Sequence, residues 1–285
     1  MAIDFALLDV FTDRALEGNQ LAVFPEARSI AEERLQALAR EINFSETVFV
    51  YPPTSGADAR IRIFTPVSEP LFAGHPVLGT AVLLAEDRGL DTVTLETGAG
   101  PIPIVVARKP DRAPFGRMKQ PIPTLQPFPH ERELLAALGL ARSELPVAMY
   151  DNGMQHVYVE LASPEAVAAF EPDPAALVRF ARTFDLVRVG INCFAGEGNR
   201  WTTRMFAPAD GTPEDPATGS AAGPLSCHLA RHGRISFGQE IEIAQGAQVG
   251  RPSTLYARAT GSAERIERVE VGGHAVIVGR GTFNW

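Results

Sequence analysis

The sequence predicts an α+β fold made of two similar halves, and three observations carry that prediction. First, residues 60–85, "RIRIFTPVSEPLFAGHPVLGTAVLLA", are echoed by residues 204–230, "RMFAPADGTPEDPATGSAAGPLSCHLA". Arg62-Ile63-Phe64-Thr65-Pro66 aligns with Arg204-Met205-Phe206-Ala207-Pro208, and Gly74 with Gly219 once the second copy is allowed three extra loop residues. Such spacing marks an internal duplication, whose two products are expected to face one another. Second, strand-like stretches outnumber helical ones and often follow each other directly, which favours α+β over a doubly wound βαβ array. Third, 285 residues are ample for two domains of roughly 140 each.

Taken in order, "FALLDVF" and "LAVFP" read as strands, and "IAEERLQALARE" has the i, i+3, i+4 spacing of a helix. "ETVFVYP" and "ARIRIFTP" are apolar and β-branched strands, "HPVLGTAVLLAEDRG" is an apolar helix, and "TVTLET" and "IPIVVAR" are strands again. "KQPIPTLQPFPHER" then holds four prolines and must be extended, which puts a boundary near 115–150. The second half repeats the alternation: helix "ERELLAALGL", strand "HVYVEL", helix "PEAVAAF", strand "RWTTRMFAP", helix "AAGPLSCHLARHG", strands "IEIAQG" and "TLYARAT". "LVRFARTFDLVRVGINCF" there matches "LQALAREINFSETVFV", each a helical pattern running into a strand-like one.

Composition excludes several functions. Hydrophobic residues at 45% and charged residues at 21% are globular values. A net charge of −8 disfavours nucleic acid and anionic membrane surfaces as partners, although a local pocket can still oppose it. Cys193 and Cys227 form no disulfide framework and no zinc spacing. No basic segment precedes an apolar run at the start, and no apolar run reaches the roughly 20 residues of a membrane span. A soluble cytoplasmic protein is the expectation.

In each half a strand ends at Phe-x-Pro, a polar loop follows, and a glycine opens a helix. Pro76 is expected at the first helical position, where its missing N–H costs nothing. Helix starts bear free N–H groups and partial positive charge, so they attract carboxylate or phosphate, and glycine lets an anion come close. If the halves face each other, both starts converge on one cleft that suits a small carboxylic acid. "TGSAAG" matches neither GxxxxGK[ST] nor GxGxxG, which speaks against a nucleotide, whereas close helix packing remains a structural reading of the same small residues.

Three ionisable residues flank these loops: Glu46, His75 and Asp215. Glu46, in the polar Asn43–Ser45–Glu46 patch before a strand, is placed to have a raised pKa and act as acid or base, or else to serve as a cap. His75 after a helix-opening glycine is expected to stay neutral. Asp215 precedes Pro216 and can serve the site or cap a turn. His228 and His232, four apart, lack a third metal ligand and read as surface histidines. A Ser-His-Asp hydrolase is disfavoured because no GxSxG elbow is present.

"LEGNQLAVF", "NFSETVFV", "RIFTP…FAGHPVLGTA", "INCFAG", "RMFAP" and "EDPATGSAAGPL" together resemble the PhzF isomerases of phenazine biosynthesis, and the likeness runs from the first strand to "VGRGTFNW". The resemblance implies a diaminopimelate-epimerase-like fold of two pseudo-symmetric barrel-like α+β domains, each around a central helix. Residues 1–120 would form the N-terminal domain, to which a C-terminal strand can return, and 121–285 the C-terminal one. It also implies a homodimer, no cofactor and no metal, and isomerisation of trans-2,3-dihydro-3-hydroxyanthranilate to an aminoketone. The family's proton-shuttling glutamate matches Glu46, its histidine His75 and its aspartate Asp215. Ser220 and the Gly74 and Gly219 amides match its carboxylate cradle, and Ser45 and Asn19 match positions near the substrate. Gln20 stands where the family often has proline. Epimerase cousins use two cysteines at the helix-opening loops; here those places hold other residues, so two-thiol racemisation is disfavoured. Another isomerase or racemase of small carboxylates, or a non-catalytic binding protein, are the alternatives.

Overall fold

A computed structural model describes residues 2–285. The first half runs β1 (Ala2–Val10), β2 (Asn19–Phe24), α1 (Glu32–Ile42), β3 (Glu46–Tyr51), β4 (Ala59–Phe64), α2 (Gly74–Arg88), β5 (Thr92–Thr97), β6 (Gly100–Lys109) and β7 (Arg112–Gln120). The second runs β8 (Thr124–Gln126), α3 (Glu131–Leu138), β9 (Ala148–Asp151), β10 (Gln155–Glu160), α4 (Pro164–Ala169), α5 (Pro174–Thr183), β11 (Gly190–Glu197), β12 (Arg200–Ala207), β13 (Thr212–Asp215), α6 (Gly219–Arg231), β14 (Glu240–Gln245), β15 (Ser253–Gly261) and β16 (Ile266–Asn284).

The duplication seen in the sequence is present in the topology. In the first half β2 pairs parallel to β3 across α1, and β4 parallel to β5 across α2. In the second, β10 pairs parallel to β11 across α4 and α5, and β12 parallel to β14 across α6. Strands β1 to β7 form one sheet that β16 closes, pairing with β7 through Val269–His274 and with β1 through Ala275–Asn284. On the edge opposite β7, β16 also pairs with β15, from which the sheet continues through the second half as β15-β14-β12-β11-β10-β9-β8. One 19-residue strand therefore belongs to both halves, and the expected division after residue 120 falls between β7 and β8.

Each half of the sheet wraps a helix that is buried on every side. In α2 every residue from Gly74 to Ala85 is buried, and in α6 every residue from Gly219 to Ala230. Such helices have no solvent face, which is why their sequences lack an amphipathic stripe. Leu78 and Val82 of α2 share one core with Leu225 and Leu229 of α6. Helices α1 and α5 are amphipathic instead and cover smaller outer clusters, Leu35 and Leu38 on Phe24 and Phe49, and Leu177 and Phe180 on Ile191. Among the described residues no helix is long and apolar enough to cross a membrane.

Pro224 lies inside α6 and cannot donate to the carbonyl of Ser220, four residues earlier. That carbonyl accepts from Asn152 Nδ2 at 2.9 Å instead, and its neighbours are held likewise: Gln120 Nε2 donates to Gly219 O and Tyr158 Oη to Ala221 O, each at 2.8 Å. The first turn of α6 is thus anchored by side chains of the surrounding sheet. Nearby, the buried Arg204 makes a two-point ion pair with the largely buried Glu214, at 2.8 and 2.7 Å, and donates to the carbonyls of Val167 and Phe170. Arg204→Met leaves the Glu214 carboxylate buried without a counter-charge, so a loss of about 3–5 kcal/mol is expected in urea unfolding. A loss below about 1 kcal/mol would show that the pair is not holding β13 to β12.

Candidate active site

The two central helices meet end to end at their N-termini. A Cβ on Gly74 would stand 2.5 Å from the carbonyl carbon of Gly219 and 2.6 Å from Ser220 N, and one on Gly219 would stand 2.8 Å from the Phe11 ring. Neither glycine has a left-handed φ; what demands glycine here is the approach of one helix start to the other. Both positive helix ends converge on one point, which makes the junction suited to an anion. Phe11, buried at this junction, holds a left-handed φ of 67°, unusual for an aromatic residue. Its backbone is fixed by bonds to His274 O at 2.7 Å and from Thr254 N at 2.8 Å.

Beside the junction lies a cavity of about 330 Å³, a size that holds a small organic acid. Ser45, Glu46, Gly74 and His75 line one wall, and Asp215, Gly219 and Ser220 the facing one. Asn43 ends α1 in the left-handed conformation, φ 55°, and turns the chain so that Ser45, just before β3, and Glu46, its first residue, line the cavity. His75 is the second residue of α2, and Asp215 the last of β13. Pro76, expected first in α2, is third, because the helix starts at Gly74; its absent N–H is still among the first four that lack intrahelical partners. A larger groove of about 580 Å³ on the first half surrounds Arg60 and Glu96, but Glu96 is already held by Thr54 and Ser55.

Asn19 does not line the cavity. It is buried behind it and ties the walls together: Nδ2 donates to Asp215 Oδ1 and Ala217 O, both at 2.9 Å, while Oδ1 accepts from Ser45 Oγ at 2.8 Å. Asp215 also accepts from Thr218 Oγ1 at 2.6 Å, so two donors hold its carboxylate.

Burial governs the charges. Desolvation, then the nearby Asp215 and Asp210, push the Glu46 carboxyl up to about 8, against the Ser45 hydroxyl that favours its ionised form. Asp215 is raised as well, by burial, against the bonds from Thr218 and Asn19 that favour its ionised form, and a charge on either of these two carboxyls resists ionisation of the other. Burial lowers His75 to about 3, keeping the imidazole neutral as expected. His75 Nε2 is 3.5 Å from Glu46 Oε2, and neither atom has a hydrogen-bond partner in the protein. A carboxyl that titrates near neutrality beside a neutral imidazole can accept a proton and return it.

His228 and His232 are not both on the surface. His228 is fully buried between Tyr150, Tyr158 and Phe194, because α6 is enclosed to its last turn; only His232, at the helix end, is exposed. Cys193 and Cys227 are buried away from the cavity, and burial pushes both thiols up to about 12, unsuitable for thiol chemistry. Sequence reasoning missed His156, Asp210 and Arg188, which also line the cavity. Asp210 is signalled only by its place in the longer second loop, and His156 by nothing beyond a polar residue at the start of an apolar strand.

The family model of phenazine biosynthesis-like proteins, PhzC-PhzF, matches residues 8–281. The chain belongs to the PhzC-PhzF family. It is 48% identical over 277 residues to the trans-2,3-dihydro-3-hydroxyanthranilate isomerase of Pseudomonas aeruginosa, covering 97% of this chain and 98% of that one. This PhzF chain superposes with a TM-score of 0.86 on the PhzF-family phenazine biosynthesis protein of Bacillus anthracis, at 25% identity and full coverage of both. A hydroxyproline epimerase from Agrobacterium vitis, 13% identical with a TM-score of 0.64 over 99% of this chain and 91% of that one, shares the fold. The diaminopimelate-epimerase-like architecture expected from the sequence is therefore the one present, and the chain stands among PhzF isomerases.

Proposed function

We propose that this PhzF protein isomerises trans-2,3-dihydro-3-hydroxyanthranilate to an aminoketone, with Glu46 carrying the proton. The observation that supports this most directly is the Glu46 carboxyl, held at near-neutral pKa on one wall, opposite the N-terminus of α6 on the other. The ionised Glu46 removes the proton at C3, which the adjacent hydroxyl and diene acidify. The electron pair moves through the diene, and the protonated Glu46 returns the same proton to a ring carbon farther along. The resulting enol then tautomerises to the ketone. One base on one face suffices if the ring stays in place, and that is the task of the carboxylate cradle at Gly74, Gly219 and Ser220. Neutral His75 and the fixed carboxylate of Asp215 are placed to hold the amino and hydroxyl groups as charge develops.

Mixing the purified protein with trans-2,3-dihydro-3-hydroxyanthranilate and following diene absorbance tests the proposal: absorbance is expected to fall. An unchanged spectrum, with solvent deuterium entering another small acid, would transfer the site to a different isomerisation. Ser220→Ala is expected to raise KM about tenfold while kcat falls less, since it removes one hydrogen bond to a charged group. An unchanged KM would remove Ser220 from the cradle.

A further inference from the structure

Behind Ser220 stands a histidine that the reaction as described does not use. His156, on β10, is 1% exposed, and its Nε2 lies 3.0 Å from Ser220 Oγ. Its other ring nitrogen, Nδ1, faces Asn192 Nδ2 at 3.4 Å. The same Asn192 nitrogen donates to two backbone carbonyls, Val157 O and Gly190 O, each at 3.2 Å. Only an amide nitrogen can serve two carbonyls, so Asn192 turns its N–H side to the ring. With both its hydrogens on those carbonyls and no lone pair to offer, the amide nitrogen gives a proton on Nδ1 no acceptor, so the imidazole proton belongs on Nε2, aimed at Ser220.

The ring also has a dedicated seat. A Cβ on Gly190 would stand 2.6 Å from His156 Nδ1, so the ring occupies space that any other residue at 190 would fill. Burial lowers the His156 pKa to about 4, which keeps the ring neutral and the arrangement intact across the neutral range.

A serine hydroxyl can point either its hydrogen or its lone pairs at a neighbour, and only the hydrogen is attractive to a carboxylate. With the His156 proton occupying a lone pair of Oγ, the Ser220 hydrogen is left to turn into the cavity that both residues line. We propose that His156, held in one tautomer by Asn192 and seated against Gly190, is the positioning residue that makes Ser220 a hydrogen-bond donor to the substrate carboxylate. The inference rests on the proposed carboxylate-binding role of Ser220 and adds the groups that orient it. A donor already aimed at the carboxylate needs no reorganisation when substrate arrives.

Two readouts test it, one of them free of turnover. Titration calorimetry with 2-aminobenzoate, an aromatic acid that cannot isomerise, is expected to show roughly tenfold weaker binding in His156→Phe than in wild type. Kinetics with the dihydro substrate should show a similar rise in KM and a smaller fall in kcat. His156→Gln, whose amide nitrogen can stand near the Nε2 position, should recover most of the affinity. Gly190→Ala, which displaces the ring without altering it, should weaken binding as His156→Phe does. In a Ser220→Ala background His156→Phe should add less than about twofold, a non-additivity that simple loss of packing does not produce. Equal affinity in wild type and His156→Phe, or fully additive effects in the double variant, overturns the proposal. Turnover absent in wild type with the binding differences intact sinks the assigned reaction and leaves the role of His156 standing. No binding of 2-aminobenzoate by wild type overturns both.

Discussion

Glu46→Gln is expected to lower kcat by about three orders of magnitude while KM stays within a few-fold, because a general acid–base group supplies ~10²–10⁴ of the rate. Glutamine keeps the shape and hydrogen-bonding capacity of the protonated acid but cannot carry a proton. The same substitution should raise stability by an amount that grows as pH rises from about 4.5 to about 8. The folded protein holds the Glu46 proton up to about pH 8, whereas an unfolded glutamate releases it near 4.5. Between these values the folded state binds more protons than the unfolded one, so this group favours the fold fully below about 4.5 and loses that contribution as pH rises through about 8. Glutamine removes the dependence. Thermal melts should therefore agree near pH 4.5 and place the variant higher, by a few degrees, near pH 8.5. Near-normal turnover in the variant would end the assignment of Glu46, and parallel melting curves across this range would show that its carboxyl is not raised by the fold.

Gly74→Ala is the second large effect. Its methyl group would stand 2.5 Å from the Gly219 carbonyl carbon and 2.6 Å from Ser220 N, both backbone atoms at the start of a fully buried helix. No side-chain rotation relieves that collision, so α2 and α6 must separate, at a cost of about 3 kcal/mol or more. Separation also misplaces the cradle, and a shift on the order of 1 Å is enough to cost ~10² in rate. Denaturant midpoints and kcat/KM of the folded fraction should both fall. Gly89→Ala provides the contrast: φ is 68° there but nothing lies within 4 Å of the added atom, so a cost of about 1–2 kcal/mol with unchanged kcat/KM is expected. If Gly74→Ala behaves no worse than Gly89→Ala, the contact between helix starts is not what shapes the site.

Much of the site was legible because its residues sit where local patterns break. Glu46 and Ser45 interrupt an apolar run between α1 and β3, and Gly74-His75 and Asp215 flank the two helix openings that the duplication makes visible. The long strand β16 was harder to read. Its pattern is broken by Gly272 and Gly273, whose Cβ atoms would meet the rings of Phe115 at 2.8 Å and Phe11. Glycine is required there by aromatic residues more than 150 positions distant in sequence, and no window along the chain contains that reason. His228 was misread on similar grounds, since an i, i+4 histidine pair looks the same on an exposed helix as on one enclosed by a sheet.

The sequence by itself determined the duplication, the α+β class, the two glycine-opened helices and the three ionisable groups beside them, because periodicity and turn chemistry are written locally. Tertiary structure alone decided what those features are for. It showed that Gly74 and Gly219 are small to admit each other, that Asn19 ties the two walls from behind the cavity, and that burial raises Glu46 while leaving His75 neutral. It also brought His156 to Ser220 across 64 residues of chain. Close approach, desolvation and hydrogen-bond direction belong to pairs of distant residues, and only the folded chain brings those pairs together.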